Sequence, residues 1–146
     1  MKTADGIEAM PAISVVVPVL DEAESLPKLL EQLESTFGGF DGGWETIAVD
    51  DGSGDNTWAG LVDAAKERPW LRGVRLARRF GQHPATFAGL AEARGSIIAV
   101  IDADLQVGVQ DVLELVEKVR DGADVAFAAR DHSLSLIHIS EPTRPY

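Results

Sequence analysis

Ile13-Ser-Val-Val-Val-Pro-Val-Leu-Asp-Glu-Ala-Glu-Ser-Leu-Pro-Lys-Leu-Leu-Glu-Gln-Leu-Glu-Ser-Thr-Phe37 reads as one strand followed by one helix. Ile13–Val19 is short and β-branched, the composition of a buried strand. Leu26, Leu29, Leu30, Leu33 and Phe37 then recur at helical spacing. Ser25 stands where an N-cap would, Pro27 is tolerated in the first turn, and Gly38-Gly39 ends the helix.

The same alternation continues outward. Trp44–Val49 reads as a second strand, and the polar loop Asp50-Asp-Gly-Ser-Gly-Asp-Asn56 leads into a helix marked by Trp58, Leu61, Val62 and Ala65. Asn56 or Thr57 is placed to cap that helix. Leu71–Ala77 is a third strand, and its Arg72 and Arg75 put it near a sheet edge. A helix over Pro84 to Ala93, a strand over Ser96–Ile101, a helix carrying Val112, Leu115, Val116 and Val119, and a strand over Asp124–Ala128 complete the pattern. Strands alternating with helices predict an α/β fold with a mostly parallel sheet and helices on both faces. Right-handed crossovers then bring the C-terminal strand ends to one rim, where open sheets of this kind bind ligands.

Bulk properties narrow the function. The chain has 146 residues, 45% of them hydrophobic and 25% charged, which suits one globular domain. A net charge of −11 excludes a general duplex nucleic-acid binder, which needs a basic footprint. A phosphate ligand stays open, because a metal ion or a local basic cluster reverses the sign at one site. The absence of cysteine removes disulfides and thiolate metal sites. Residues 1–12 form a polar leader without the apolar segment of a signal peptide. Apolar runs such as Ile97–Ile101 are far shorter than the about 20 residues that span a bilayer.

Two acidic clusters follow strands and fall on the predicted rim. Asp50-Asp51 follows the second strand, and Asp102-Ala-Asp-Leu-Gln106 follows the fourth. Residues two apart on an extended chain point to the same side, so Asp102, Asp104 and Gln106 form a line of hard oxygen ligands suited to Mg²⁺ or Mn²⁺. Like charges ~4 Å apart repel by about 4 kcal/mol at an effective dielectric of 20. Aspartates beside a diphosphate therefore call for a divalent cation between them. Arg78 and Arg79 are basic groups that could counter donor phosphates or simply be solvated. His83, just before Pro84, reads as a cap or a supporting group rather than a base.

Four ordered segments carry a resemblance: Val15-Val-Val-Pro-Val-Leu-Asp-Glu22, Val49-Asp-Asp-Gly-Ser-Gly-Asp55, Arg78-Arg-Phe-Gly-Gln-His-Pro84 and Asp102-Ala-Asp-Leu-Gln106. Over about Ile13 to Asp131 the chain resembles family 2 glycosyltransferases of the GT-A fold. It is most similar to the dolichyl-phosphate mannose synthase and undecaprenyl-phosphate sugar transferase subgroup. The resemblance implies a Rossmann-like nucleotide-sugar-binding half and a metal-dependent, inverting transfer of sugar from a nucleotide-diphosphate sugar, with a polyprenyl phosphate as acceptor. It implies that Pro18, Leu20 and Glu22 contact the nucleotide. It implies that Asp50 or Asp51 hydrogen-bonds the base beside Val49. Asp102, Ala103 and Asp104 would contact ribose and diphosphate, and Asp102, Asp104 and Gln106 would hold Mg²⁺ or Mn²⁺. Asp102 and Asp104 thus carry the catalytic assignment, and Arg130 matches a phosphate-binding arginine. The chain departs from the family pattern at Leu20, where many members have tyrosine, and at Val107-Gly-Val109, where an acidic, proline-rich continuation is common.

The domain reading is a leader over 1–12, the donor-binding half over 13–132, and a tail over 133–146. Leu134 to Arg144 matches one reading frame of a transposase sequencing adaptor, so the tail is expected to be non-native. An acceptor-binding half is expected beyond this segment, in a cytoplasmic protein working at the cytoplasmic face of the membrane. The 146 residues alone are then expected to bind donor without turnover and to self-associate through exposed sheet. The alternative is a non-catalytic nucleotide-binding module. A receiver domain would need its acidic pair after the first strand, where Leu20-Asp21-Glu22 is a poor match, and a dehydrogenase would need a Gly-x-Gly-x-x-Gly turn there, which is absent.

Overall fold

A computed structural model describes residues 9–104 and 108–128. Gln106, Arg130, most of the leader and the 133–146 tail lie outside the described residues. Within them, strands and helices alternate as β1 (Ile13–Val19), α1 (Leu26–Phe37), β2 (Trp44–Asp50), α2 (Thr57–Glu67), β3 (Leu71–Arg75), α3 (Gln82–Glu92), β4 (Ile97–Val100) and α4 (Val109–Arg120). The sheet runs β3-β2-β1-β4 with every neighbouring pair parallel. β3 is an edge strand, as its arginines predict.

β1 is central because both of its faces are apolar. Ile13, Val15, Val17 and Val19 pack with Leu26, Leu29, Leu30, Leu33 and Phe37 of α1, Leu61 of α2, and Val109, Val112 and Val116 of α4. Val16 points the other way and joins Ile47, Val49 and Ala85 of α3 in a second, smaller core. Helices therefore cover both faces. Each Val, Leu, Ile or Phe among them contributes about 1.5–3 kcal/mol by leaving water. Gly89 sets the approach of α3: a Cβ there would lie 2.3 Å from Val16 Cγ1 and 3.0 Å from Val49 Cγ2.

Three local expectations are corrected. Ser25 does not cap α1; its hydroxyl turns back to the carboxylate and carbonyl of Glu22. Asn56 makes no capping bond to α2, and Asp55 Oδ1 instead accepts the Thr57 N–H at 2.9 Å. That hydrogen bonding, from the Thr57 hydroxyl first and its amide second, holds the Asp55 carboxyl below its usual range. Residues 124–128 do not form a ladder strand; Phe127 alone makes an isolated bridge. Val125 and Phe127 are exposed there, so this segment lacks the apolar cover that fixes β1. Among the described residues no helix is long and apolar enough to cross a membrane.

The rim at the N-terminal ends of the strands is closed by a polar cluster. Glu45 is buried, and its Oε1 accepts hydrogen bonds from Ser14 Oγ at 2.7 Å and Arg94 N at 2.9 Å. Its Oε2 accepts from Arg94 Nε at 3.0 Å, Arg94 Nη2 at 2.8 Å and Arg72 Nη1 at 3.3 Å. Burial alone would raise the Glu45 pKa. The hydrogen bonds from Arg94 and Ser14, with the Arg94 charge, outweigh it and hold the carboxyl below the usual glutamate range.

Candidate functional site

The opposite rim is open. Pro18, Leu20 and Glu22 beyond β1, Asp51 beyond β2, Arg79, Gly81 and Gln82 leading into α3, and Asp102, Ala103 and Asp104 beyond β4 line one cleft of about 430 Å³. The two acidic clusters therefore share a cavity, because parallel β1, β2 and β4 end side by side. Val19 lies opposite Asp50, and Val16 lies opposite Val100.

The first wall is held by its neighbour loop. Asp21 N donates to Ser53 Oγ at 2.9 Å, Glu22 N donates to Thr57 Oγ1 at 2.9 Å, and Gly54 N donates to Asp21 Oδ1 at 2.8 Å. Asp21 has a φ of 52°, a left-handed conformation that aspartate tolerates better than bulkier residues. These bonds fix the backbone that presents Leu20 and Glu22.

The two adjacent aspartates do different work. Asp50 is the last residue of β2 and fully buried; its Oδ1 accepts the Ser53 N–H at 3.1 Å. Arg75 Nε stands 3.4 Å from its Oδ2, a charge contact outside hydrogen-bonding geometry. Neither Asp50 nor Val49, which is packed in the α3-side core, lines the cleft. Asp51 does line it. Its two oxygens accept the N–H groups of Phe80 at 2.7 Å and Gly81 at 2.9 Å, so the carboxylate sits at the start of α3, where the helix dipole favours negative charge. Gly52 makes this junction possible: its φ is 76°, and a Cβ would lie 2.5 Å from Arg79 N and 2.6 Å from Arg78 C.

The floor is Asp102-Ala103-Asp104. Ala103 is buried, and the aspartates on either side are exposed to the cleft. Gln82 Nε2 donates to Asp102 Oδ1 at 2.7 Å. Among the described residues no group of three or more His, Cys, Asp or Glu side chains is placed to hold a metal ion. Two carboxylates on one floor nonetheless fit Mg²⁺ or Mn²⁺, which takes one or two carboxylates and completes its shell with phosphate oxygens and water. Gln106 and Arg130 lie outside the described residues.

Arg79 lines the cleft, whereas Arg78 stacks 4.1 Å over the Phe80 ring and does not. His83 is the second residue of α3, exposed and outside the cleft lining. Sequence reasoning missed Gln82 as a site residue. The signal that could have found it is its place at a helix start, just after the glycine that closes the Arg-Arg-Phe-Gly turn.

Known proteins resemble this chain in sequence and fold. A family model described as Glycosyl transferase family 2 matches residues 14–142, a span that takes in part of the 133–146 stretch. The undecaprenyl-phosphate 4-deoxy-4-formamido-L-arabinose transferase of Pseudomonas paraeruginosa is 40% identical over 122 residues, which are 82% of this chain and 36% of the relative. The transferase of the same name from Serratia proteamaculans is 39% identical over 126 residues, 85% of this chain and 38% of the relative. The chain thus spans a little over a third of the length of these relatives. Among solved structures, the mannosyltransferase PcManGT from Pyrobaculum calidifontis in complex with GDP-Man and Mn²⁺ aligns with a TM-score of 0.70 and 27% identity, over 82% of this chain and 35% of that one. Staphylococcus aureus TarS 1-349 shares the fold, with a TM-score of 0.62 and 23% identity over 76% of this chain and 32% of its own.

Proposed function

Because the chain belongs to glycosyl transferase family 2, we propose that its cleft is the donor site of a metal-dependent, inverting sugar transfer from a nucleotide-diphosphate sugar to a polyprenyl phosphate. The observation that carries this reading is the meeting of Asp51, Asp102 and Asp104 in one cleft with Arg79 and the Pro18–Glu22 loop. A GDP-sugar and Mn²⁺ occupy the aligned mannosyltransferase, and the named acceptor lipid of the two curated relatives is undecaprenyl phosphate; both support the proposal.

In this reading Pro18 and Leu20 offer an apolar surface to the nucleoside, and Glu22 and Asp51 bound it. Asp51 also fixes the turn that carries Arg79 over the cleft, where the guanidinium faces negative phosphate. Asp102 and Asp104, with Gln106 beyond the described residues, are the groups that would hold Mg²⁺ or Mn²⁺. The bound ion supplies positive charge to the diphosphate and to the departing nucleoside diphosphate. An acceptor phosphate oxygen attacks the anomeric carbon opposite the diphosphate. The carbon–oxygen bond to the diphosphate breaks, and its electron pair leaves with the nucleoside diphosphate. A phosphate acceptor is already ionised, so no strong general base is needed. Arg130 would meet a phosphate, and the work would take place at the cytoplasmic face of a membrane.

Calorimetry with GDP or UDP and Mn²⁺ tests the donor site. The chain is expected to bind in a Mn²⁺-dependent manner and Asp104→Ala to lose that binding; retained binding in the variant overturns the ligand assignment. Donor binding without turnover by these 146 residues alone is the second reading. It is favoured by the cleft, whose lining carries groups suited to the donor, and by the greater length of the matched transferases. Product formation with undecaprenyl phosphate and a nucleotide sugar would overturn it. Exposed Ile98, Val100, Val125 and Phe127 support self-association of this chain, which sedimentation at rising concentration would detect.

A further inference from the structure

The strap from Arg79 to Gln82 touches both acidic loops. Asp51 accepts the N–H groups of Phe80 and Gly81, and the next residue, Gln82, donates its side-chain amide to Asp102 Oδ1 at 2.7 Å. The Gln82 backbone is also held from within the helix, where Thr86 Oγ1 donates to its carbonyl at 2.9 Å. Gly81, at a φ of 109°, supplies the turn that starts α3 at this point. The amide that reaches Asp102 therefore hangs from a pinned backbone.

The chemistry of that donor is informative. A neutral amide orients a carboxylate without cancelling its charge. The arginines on Glu45 at the other rim do both, and they leave that carboxylate no vacancy for a cation. A carboxylate that must meet a divalent cation needs orientation and retained charge together.

We infer that Gln82 is a positioning residue that sets the Asp102 carboxylate for a divalent cation carrying a nucleoside diphosphate, and that it couples this carboxylate to the Asp51 loop through the start of α3. This rests on the donor-site reading above. Gln82 acts through Asp102 and makes no claim on the reacting atoms.

The test titrates Mn²⁺ into the chain with GDP or UDP and reads the Mn²⁺ midpoint by calorimetry, for wild type, Gln82→Ala and the similarly sized Gln82→Met. Both variants should need roughly 10–100-fold more Mn²⁺, the usual effect of removing a group that orients a metal ligand. At saturating Mn²⁺ their nucleotide Kd should return to the wild-type value, and their melting temperatures should be unchanged. An unchanged Mn²⁺ midpoint in Gln82→Met overturns the inference. So does a nucleotide Kd that stays weakened at saturating Mn²⁺, because Gln82 would then contact the nucleotide itself. Absence of Mn²⁺-dependent nucleotide binding by wild type defeats the donor-site reading instead, which keeps the two failures distinct.

Discussion

At one end of the sheet Glu45 is enclosed by Ser14, Arg72 and Arg94; at the other, Asp102 and Asp104 stand exposed in a cleft with Gln82 and Arg79 beside them. Both ends bring acidic side chains to strand termini. At the first, the protein itself supplies donors to both oxygens and two positive charges, so burial is compensated and nothing further is required. At the second, the carboxylates are exposed and water has access, which is the arrangement a charged ligand can complete. The distinction between a structural and a ligand-binding carboxylate lies in what the fold has already given it.

The largest test of that contrast pairs Glu45→Ala with Asp104→Ala. Removing Glu45 leaves two arginines without their buried partner and should lower unfolding free energy by about 2–4 kcal/mol, less than a fully buried pair because both arginines are partly exposed. Asp104→Ala removes an exposed carboxylate and should cost less, about 1 kcal/mol or under, as most exposed substitutions do. Urea unfolding measures both. A larger stability loss in Asp104→Ala than in Glu45→Ala would reverse the assignment of the two rims.

Gly52→Ala attacks the hinge of the open rim. The positive φ and the close backbone of Arg78 and Arg79 should together cost about 1–3 kcal/mol, with Mn²⁺-dependent nucleotide binding weakened as the strap is displaced. Unchanged unfolding and binding would show that the strap does not depend on this approach.

The two rims should also differ in acid. The Glu45 pKa in the folded protein is depressed, so its contribution is present above the unfolded glutamate pKa and lost as pH falls through the lower folded value. Unfolding free energy should therefore fall on acidification from the usual glutamate range downward. Glu45→Gln should flatten that slope, and an unchanged slope would remove Glu45 from the acid response.

Much of this was legible in the chain. The short, mostly β-branched run of Ile13–Val19 predicts a buried strand, and α1 follows from leucine spacing alone. The sharing of one cleft by Asp51 and Asp104 follows from parallel strands with a common rim. Other features depend on contacts between distant segments. Asp50 and Asp51 are identical in type, and only the extension of β2 to Asp50, beside Arg75, sends the first inward and the second to the cleft. Gln82 reaches Asp102 across 20 positions, which no local pattern encodes. The segment over 124–128 has strand-like composition but lacks a covering layer on Val125 and Phe127, and composition does not report cover.

The smallest expected effect compares one residue type at the two rims. Ser14 is fully buried; its hydroxyl donates to Glu45 Oε1 and accepts the N–H groups of Arg94 at 3.1 Å and Gly95 at 2.8 Å. Ser14→Ala strands the Gly95 N–H, leaves Arg94 N to Glu45 Oε1 alone and removes one donor from that carboxylate, and should cost about 1–3 kcal/mol. Ser25 has the sequence position of a helix cap, but its hydroxyl bonds Glu22, which is itself partly exposed, so Ser25→Ala should change stability by no more than about 0.5 kcal/mol. A helix cap would instead be worth roughly 1 kcal/mol on removal. A loss of that size in Ser25→Ala, read from the urea midpoint at unchanged slope, would restore the capping role and bring the open rim closer in character to the closed one.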